Sequence, residues 1–312
     1  MAAGAVTVGL DAVPVAAAVA VTLTLVQGGG GGSGTPDDTA SGRDYLLAAA
    51  EKVEATGDYW YQEEQTGTLH QVSGGYVVDR RQTSRQWLAE GADLRWSQSM
   101  DNGTGPASDA DERAWKAAGS PTQWTLPEEG GGGVVRQESG GVVQQDAPGG
   151  GVDIMPIGGL ETDQLDGLPT EPDALRERLA ELARAKLNAA DDDLRGIVVR
   201  QAVEIAVRLP ADADLRAAVY RLLSQEPGVR DLGVVQDRSG RAGQGVAVPF
   251  DDGHAELRLV LDPSTGALLG TLTATTRAFD GWDKGAVTAY TTTVEQSWTD
   301  VPPPPFDDDL ET

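Results

Sequence analysis

The sequence predicts an α+β fold built on one mainly antiparallel sheet, with a block of three helices between two groups of strands. Three observations carry this. Aromatic and β-branched residues recur with period two from Tyr59 to Met100 and again after Gly228, as in half-buried strands. Leucine, isoleucine and valine between Pro172 and Glu226 recur at helical spacing instead. The breaks between the later strand segments are short and carry glycine, which is hairpin rather than crossover chemistry.

Composition limits the function. A chain of 312 residues with 39% hydrophobic residues can supply a buried core. Its 49 acidic against 24 basic residues give a formal charge of −25, which repels a nucleic-acid backbone, so no nucleic-acid partner is expected. Cysteine is absent, and with it disulfides, thiolate metal sites, a cysteine nucleophile and an acylated lipoprotein cysteine.

Residues 1–27 are read as a transmembrane or signal-anchor segment. The apolar run from Ala12 to Val26 is roughly 22 Å as a helix, short of the ~30 Å hydrocarbon core, and extension back to Val6 reaches that length while including Asp11 and Pro14 near one end. A cleaved signal peptide and a buried helix are the rival readings. The first lacks its basic n-region, and a single span with the acidic body outside the cytoplasm is the expectation. Residues 28–41 follow as a Gly-rich linker, in which a fortuitous G-x-G-x-x-G lacks the flanking strand and helix of a nucleotide site.

The folded body is expected over residues 42–300. Ser41 is placed to cap a helix from Gly42 to Thr56, with Tyr45, Leu46, Ala49 and Val53 on one face and Gly57 as its stop. A meander of three or four strands follows from Tyr59, whose alternation sends Tyr59, Tyr61 and Glu63 to one face and Trp60, Gln62 and Glu64 to the other, with Trp60 inward. A short helix surrounds Trp115. The consecutive copies "GGVVRQES" and "GGVVQQDA" lie in a low-complexity stretch, 130–151, read as a long loop or a protruding hairpin. Thr170 and Asp173 stand at capping-box spacing ahead of a helix with Leu175, Leu179, Leu182 and Leu187 near one face. Helices over Leu194–Arg208 and Asp212–Glu226 come next, separated by Pro210, and five strands joined by hairpins complete the body. The Pro- and Asp-rich tail, 301–312, is read as disordered.

Three stretches, "GLPTEPDALRERL", "LRAAVYRLLSQEPGVRDLGVVQDRSGRAGQGVAV" and "LRLVLDPSTGALLG", resemble the C-terminal half of an uncharacterised actinobacterial family of single-span membrane proteins, known by locus tags and found in a sigma-factor-associated setting. "YLLAAAEKVEATGDYWYQEEQTGTLH" looks like that family's first helix and strand. The chain departs from the family in having no basic cluster ahead of its apolar segment. The order of elements is also similar to that of the unclosed antiparallel half-barrels of LolA- and RseB-type periplasmic proteins, which hold lipid chains on an apolar face. That resemblance implies an unclosed half-barrel in the cell envelope.

Candidate chemistry is sparse. His70 and His254 are the two histidines, no G-x-S-x-G accompanies them, and no catalytic residue is assigned. Glu63 and Glu64 point to opposite faces and read as solvated strand charge. The runs Asp191–Asp193 and Asp307–Asp309 lack the frame of a calcium loop, so no metal or cofactor is expected. "DRSGRAGQG" reads as a turn, with an anion nest at Arg238 and Arg241 as the rival. The aromatics are the stronger lead: Trp60, Tyr76, Trp87 and Trp96 are the candidate ligand-binding residues, set against plain core packing. The function expected is that of a membrane-anchored extracytoplasmic binding or sensing protein, not an enzyme, that recognises an apolar envelope ligand or an envelope protein. A lipid or lipoprotein carrier is the alternative, and a hydrolase a distant one.

Overall fold

The computed structural model describes residues 38–50, 57–89, 95–126, 133–138, 141–146, 160, 165, 167–250, 254–279 and 281–303. Residues 1–27, read from sequence as a membrane anchor, most of the expected linker and the tail beyond residue 303 lie outside them. Among the described residues no helix is long and apolar enough to cross a membrane.

In chain order the elements are α1 (Asp38–Ala50), β1 (Tyr59–Val72), β2 (Tyr76–Ala89), β3 (Arg95–Pro106), α2 (Asp109–Ala117), β4 (Gln123–Thr125), β5 (Val134–Arg136), β6 (Gly141–Asp146), α3 (Pro172–Leu187), α4 (Leu194–Val207), α5 (Ala213–Ser224), β7 (Arg230–Gln236), β8 (Ala242–Phe250), β9 (Ala255–Leu261), β10 (Leu268–Thr275) and β11 (Val287–Thr299). Nine strands form one antiparallel sheet in the order β6-β3-β2-β1-β11-β10-β9-β8-β7, and β4 pairs with β5 beside it. The sheet is not closed, since β6 and β7 end it. The first and last strands of the body, β1 and β11, pair at its centre and join the two strand groups.

Two apolar clusters lie on one face of this sheet. The larger joins Leu46 of α1, Leu175 and Leu179 of α3, most of α4 and α5, and the inward residues of β8 and β9, Val246, Val248, Leu257 and Leu259. Helix α4 buries most of its length, from Val198 to Val207 apart from Arg200 and Glu204, as its apolar-rich sequence requires of a helix packed between the sheet and its neighbours. The smaller cluster sits at the far end of β1 and β2, where Trp124, Leu126 and Val135 of the β4–β5 pair cover Val72, Tyr76 and Val78.

Several local expectations are corrected. Helix α1 begins at Asp38, so Ser41 lies within it rather than capping it, and Tyr45 faces outward. Helix α3 starts with Pro172 in its first turn, and Glu171 rather than Thr170 stands at the N-cap without a side-chain cap bond. Leu187 is exposed, one turn past the buried stripe, and Asn188 ends the helix in the left-handed conformation. The duplicated stretch is not a bare loop: the first copy contributes β5, which pairs with β4, and the second contributes β6, which extends the main sheet from β3.

Candidate functional site

Along β1, inward residues alternate with outward ones, and their cross-strand partners fall in rows. The row Trp60–Leu88 is apolar and lies under the helices. Then come three polar rows: Gln62–Gln86–Ser97, Glu64–Ser84–Ser99 and Thr66–Gln82–Asp101. Further along, Val72, Tyr76 and Val78 return to an apolar core. Between the two covered regions these polar rows floor a groove of about 240 Å³, and Arg208, just past the end of α4, forms its wall.

The wall is fixed by the way α4 ends. The last four carbonyls of a helix have no intrahelical donors, and a buried end must find them elsewhere. Strand side chains supply them here. Gln296 of β11 donates its amide to the carbonyls of Ala206 and Val207. Gln86 and the Trp60 indole donate to the carbonyl of Arg208, at 2.9 and 3.3 Å. Arg216 of α5 donates to Leu209 and places its guanidinium 4.0 Å from the Trp60 ring centroid. Burial lowers the Arg216 pKa to about 10.

With its backbone held, the Arg208 guanidinium spans two acids. It meets Glu64 at two points, 3.0 and 2.7 Å, and Glu204 at 3.3 Å. Glu64 also accepts from the Gln62 amide at 3.2 Å, and Gln62 accepts from Gln86 at 2.5 Å. Burial raises the Glu204 pKa, with the attraction of Arg208 opposing it and the Glu64 charge adding to it. Both acids raise that of Arg208, against its own burial. Glu64 and Glu204 share the Arg208 guanidinium at the wall of a groove whose other lining is amides, hydroxyls and the Arg85 side chain. That set can donate and accept hydrogen bonds in several directions.

The four aromatics proposed from sequence are not brought together. Trp60 is 2% exposed and serves as donor and platform beneath α4 and α5. Tyr76 is buried in the smaller cluster and accepts from the Trp124 indole at 2.8 Å. Trp87 and Trp96 lie on the opposite face, where Tyr61, Trp87 and Trp96 form a cross-strand ladder with ring centroids 4.5 and 4.6 Å apart. Trp60 and Tyr76 thus sit in core positions and Trp87 and Trp96 in the ladder, where the Trp96 Nε1 has no partner among the described residues. Beside the ladder, Glu63 pairs with Arg85 at 2.9 Å, whereas Glu64 is 6% exposed, so neither is plain solvated charge.

The remaining candidates also fall into place. His70 is half-buried in β1, and burial, with Arg80 beside it, lowers its pKa. His254 accepts from Arg277 at 3.1 Å and lies edge-on to Phe279. In the turn between β7 and β8 the nest is filled by the chain's own Asp237, which accepts from the backbone of Ser239 and Arg241 and from the Arg241 guanidinium. Asp191 pairs with Arg184, and among the described residues no cluster of three metal-ligating side chains occurs. Asp307–Asp309 lie outside those residues.

Comparison with known proteins adds little to this geometry. No family model matches the chain, and no curated protein does. Among solved structures the chain is similar to MucB in complex with MucA(peri), at 12% identity and a TM-score of 0.27, over 88% of this chain and 60% of that one. A structure of MucB alone gives 12% identity, a TM-score of 0.29 and coverage of 88% and 63%. The chain therefore spans less than two thirds of the MucB chains it matches, and a likeness at this level assigns neither activity nor ligand.

Proposed function

We propose that this chain is a membrane-tethered, extracytoplasmic binding protein, acting without catalysis, that recognises an envelope protein by laying an extended segment of it along the polar rows of β1–β3. The observation that carries this reading is the three-row array of amides and hydroxyls between two apolar cores. Successive rows are two residues apart, roughly 6.7 Å, which is also the side-chain repeat of an extended peptide. Alternate polar groups of a partner strand then meet successive rows.

Size and polarity favour a peptide over an apolar molecule. A groove of about 240 Å³ is below the ~300–1,000 Å³ typical of sites that enclose a whole small ligand, which suits a ligand that enters only in part. Gln62, Gln86 and Gln82 already bond Glu64, Gln62 and Ser99 within the groove, and an apolar chain laid over it would strip water from their remaining donor and acceptor positions, at roughly 1–3 kcal/mol for each one left unpaired. The apolar segment within residues 1–27 supports the tether. The open edges at β6 and β7 support the half-barrel form.

Site-directed photocrosslinking tests the reading. A photoreactive side chain at Ser84, in the full chain in intact cells, is expected to give a protein adduct that disappears when Gln82 and Gln86 are replaced by alanine. Adducts to lipid alone would transfer the groove to the carrier reading. Digestion of the body by protease added outside intact cells tests its placement.

A further inference from the structure

The turn between β10 and β11 stands apart from the groove and has a different chemistry. Phe279 is 56% exposed, and Trp282 is partly exposed beside it. Their backbones close the turn on each other, Phe279 N–H to Trp282 carbonyl at 3.0 Å and the reverse at 2.8 Å. Gln71 donates to the Gly281 carbonyl at 2.8 Å, and Thr275 donates its hydroxyl to Asp283 at 2.6 Å. The turn is thus held by backbone and flanking polar groups; Phe279 meets the His254 ring edge-on at 5.8 Å, and neither aromatic ring belongs to the two apolar clusters.

Its charge and position point the same way. Arg277 and Lys284 balance Asp280 and Asp283, so this short stretch is neutral in a chain of net charge −25. The turn lies at the end of the sheet that carries the β1–β2 and β8–β9 turns. Helix α1 enters at that same end, where Gly42 sits against the backbone of Arg230 and Asp231 at the start of β7. Arg230 pairs with Glu256 and Glu256 with Arg258, whose guanidinium lies 3.9 Å from where a Cβ on Gly285 of the aromatic turn would stand. Three strand spacings separate β7 from β10, about 14 Å. Residues 27–37, between the apolar segment and α1, are Gly-rich, and a random coil of that length spans roughly 18 Å.

We propose that the β10–β11 turn is a second contact with the bilayer, in which Phe279 and Trp282 enter the interface of a zwitterionic lipid surface and fix how the tethered body sits on it. Tryptophan suits this depth, with an apolar ring and a polar N–H, and the numerical balance of charges in the turn adds no net charge to the approach. The proposal rests on the tethered reading of residues 1–27 only for which end of the body faces the membrane.

The test uses the full chain mixed with phosphatidylcholine vesicles whose acyl chains carry bromine, which quenches tryptophan on contact. Residues 1–37 contain no tryptophan, so quenching reports on the body alone. Quenching is expected in the wild type and to be largely lost in Trp282→Phe, while Trp298→Phe, at the other end of the sheet, retains it. Equal quenching in all three chains, or none in the wild type, would overturn the proposal. Flotation of the same samples separates the two readings. Flotation without Trp282 quenching leaves the tether and removes the turn contact, whereas Trp282 quenching without stable flotation leaves the turn contact and removes the tether.

Discussion

Arg208 and Glu64 are 144 positions apart in the chain and meet in a two-point ion pair, Nε to Oε2 at 3.0 Å and Nη2 to Oε1 at 2.7 Å. The pair ties the end of α4 to the floor of the groove, and Glu204 shares the same guanidinium. Removing the cation leaves two carboxylates, 7% and 12% exposed, without a countercharge, and Glu64 with only the Gln62 amide beside it among the described residues. Arg208→Met is therefore expected to cost about 3–5 kcal/mol in urea unfolding. Glu64→Gln leaves the Glu204 pair in place and is expected to cost about 1–2 kcal/mol. Adding Glu64→Gln and Glu204→Gln to Arg208→Met should recover most of the loss. A triple variant as unstable as Arg208→Met alone would show that packing, not charge, is what Arg208 supplies.

The strand amides that meet the end of α4 carry a separate expectation. Gln296 donates to two of its orphan carbonyls, Ala206 and Val207, and methionine at that position fills similar space without a donor. Gln296→Met is expected to lower stability by about 1–3 kcal/mol, the cost of buried carbonyls left unpaired. Hydrogen exchange should rise first in the last turn of α4, because local opening follows the weakened contact. Uniform exchange across α4 and α5 would instead mean that Gln296 acts through the whole helix block.

Much of the scaffold was legible in the sequence, and most of the groove was not. Period two in "YWYQEE" placed Trp60 inward and Tyr61 outward, because a strand has only two faces and one slip reverses both. Leucine spacing located α3 to within two residues of its start, since its buried stripe is made by Leu175, Leu179 and Leu182. Gln62 is placed by alternation on the inward face with Trp60, and Ser84 and Gln86 carry no assignment from sequence. They become a groove only because the helices and the β4–β5 pair cover the two ends of that same face, which is a tertiary fact. One signal was present: β2 is polar on both faces from Arg80 to Gln86, between apolar Tyr76 and Leu88. Arg208 looked like the last residue of a helix, and its partner Glu64 lies too far along the chain for any spacing to reveal. The duplicated "GGVV" copies misled because the strands they pair with, β4 and β3, lie elsewhere in the chain.

Gly67 of β1 has a steric reason to be glycine. A Cβ there would fall 2.2 Å from the ring of Tyr290, its cross-strand neighbour on β11. Gly67→Ala must push that ring away and disturb the hydrogen bond from its hydroxyl to Asp79, at 2.9 Å. A loss of about 1–3 kcal/mol is expected, as for other overpacked sites. In the background of Tyr290→Ser the same change should cost little, so the double-mutant cycle is expected to show strong coupling. Additive losses would place the strain in the β1 backbone instead.

Asp79 gives the body a pH dependence that can be isolated. Its carboxyl is 8% exposed, accepts from Tyr290 and faces Arg238 at 3.5 Å, while its other oxygen, Oδ1, has no partner among the described residues. Burial raises its pKa, and the Tyr290 hydroxyl and the cations Arg238 and Arg81 only partly offset this. The same neighbourhood raises the Tyr290 pKa to about 12, so its hydroxyl remains a donor at neutral pH. A carboxyl whose folded pKa is raised holds its proton more tightly in the folded chain than in the unfolded one. Stability from this group is therefore greatest below the ordinary carboxylate pKa, about 4, and is lost as pH rises through the higher folded value. Asp79→Asn keeps an acceptor for Tyr290 and removes the titration. The variant is expected to be more stable than the wild type near pH 7, with the gap shrinking as pH falls toward about 4. Urea unfolding of both chains across that range measures it. A gap that stays constant, or that widens on acidification, would show that Arg238 and Arg81 outweigh burial and that Asp79 is held ionised as an ordinary ion-pair partner.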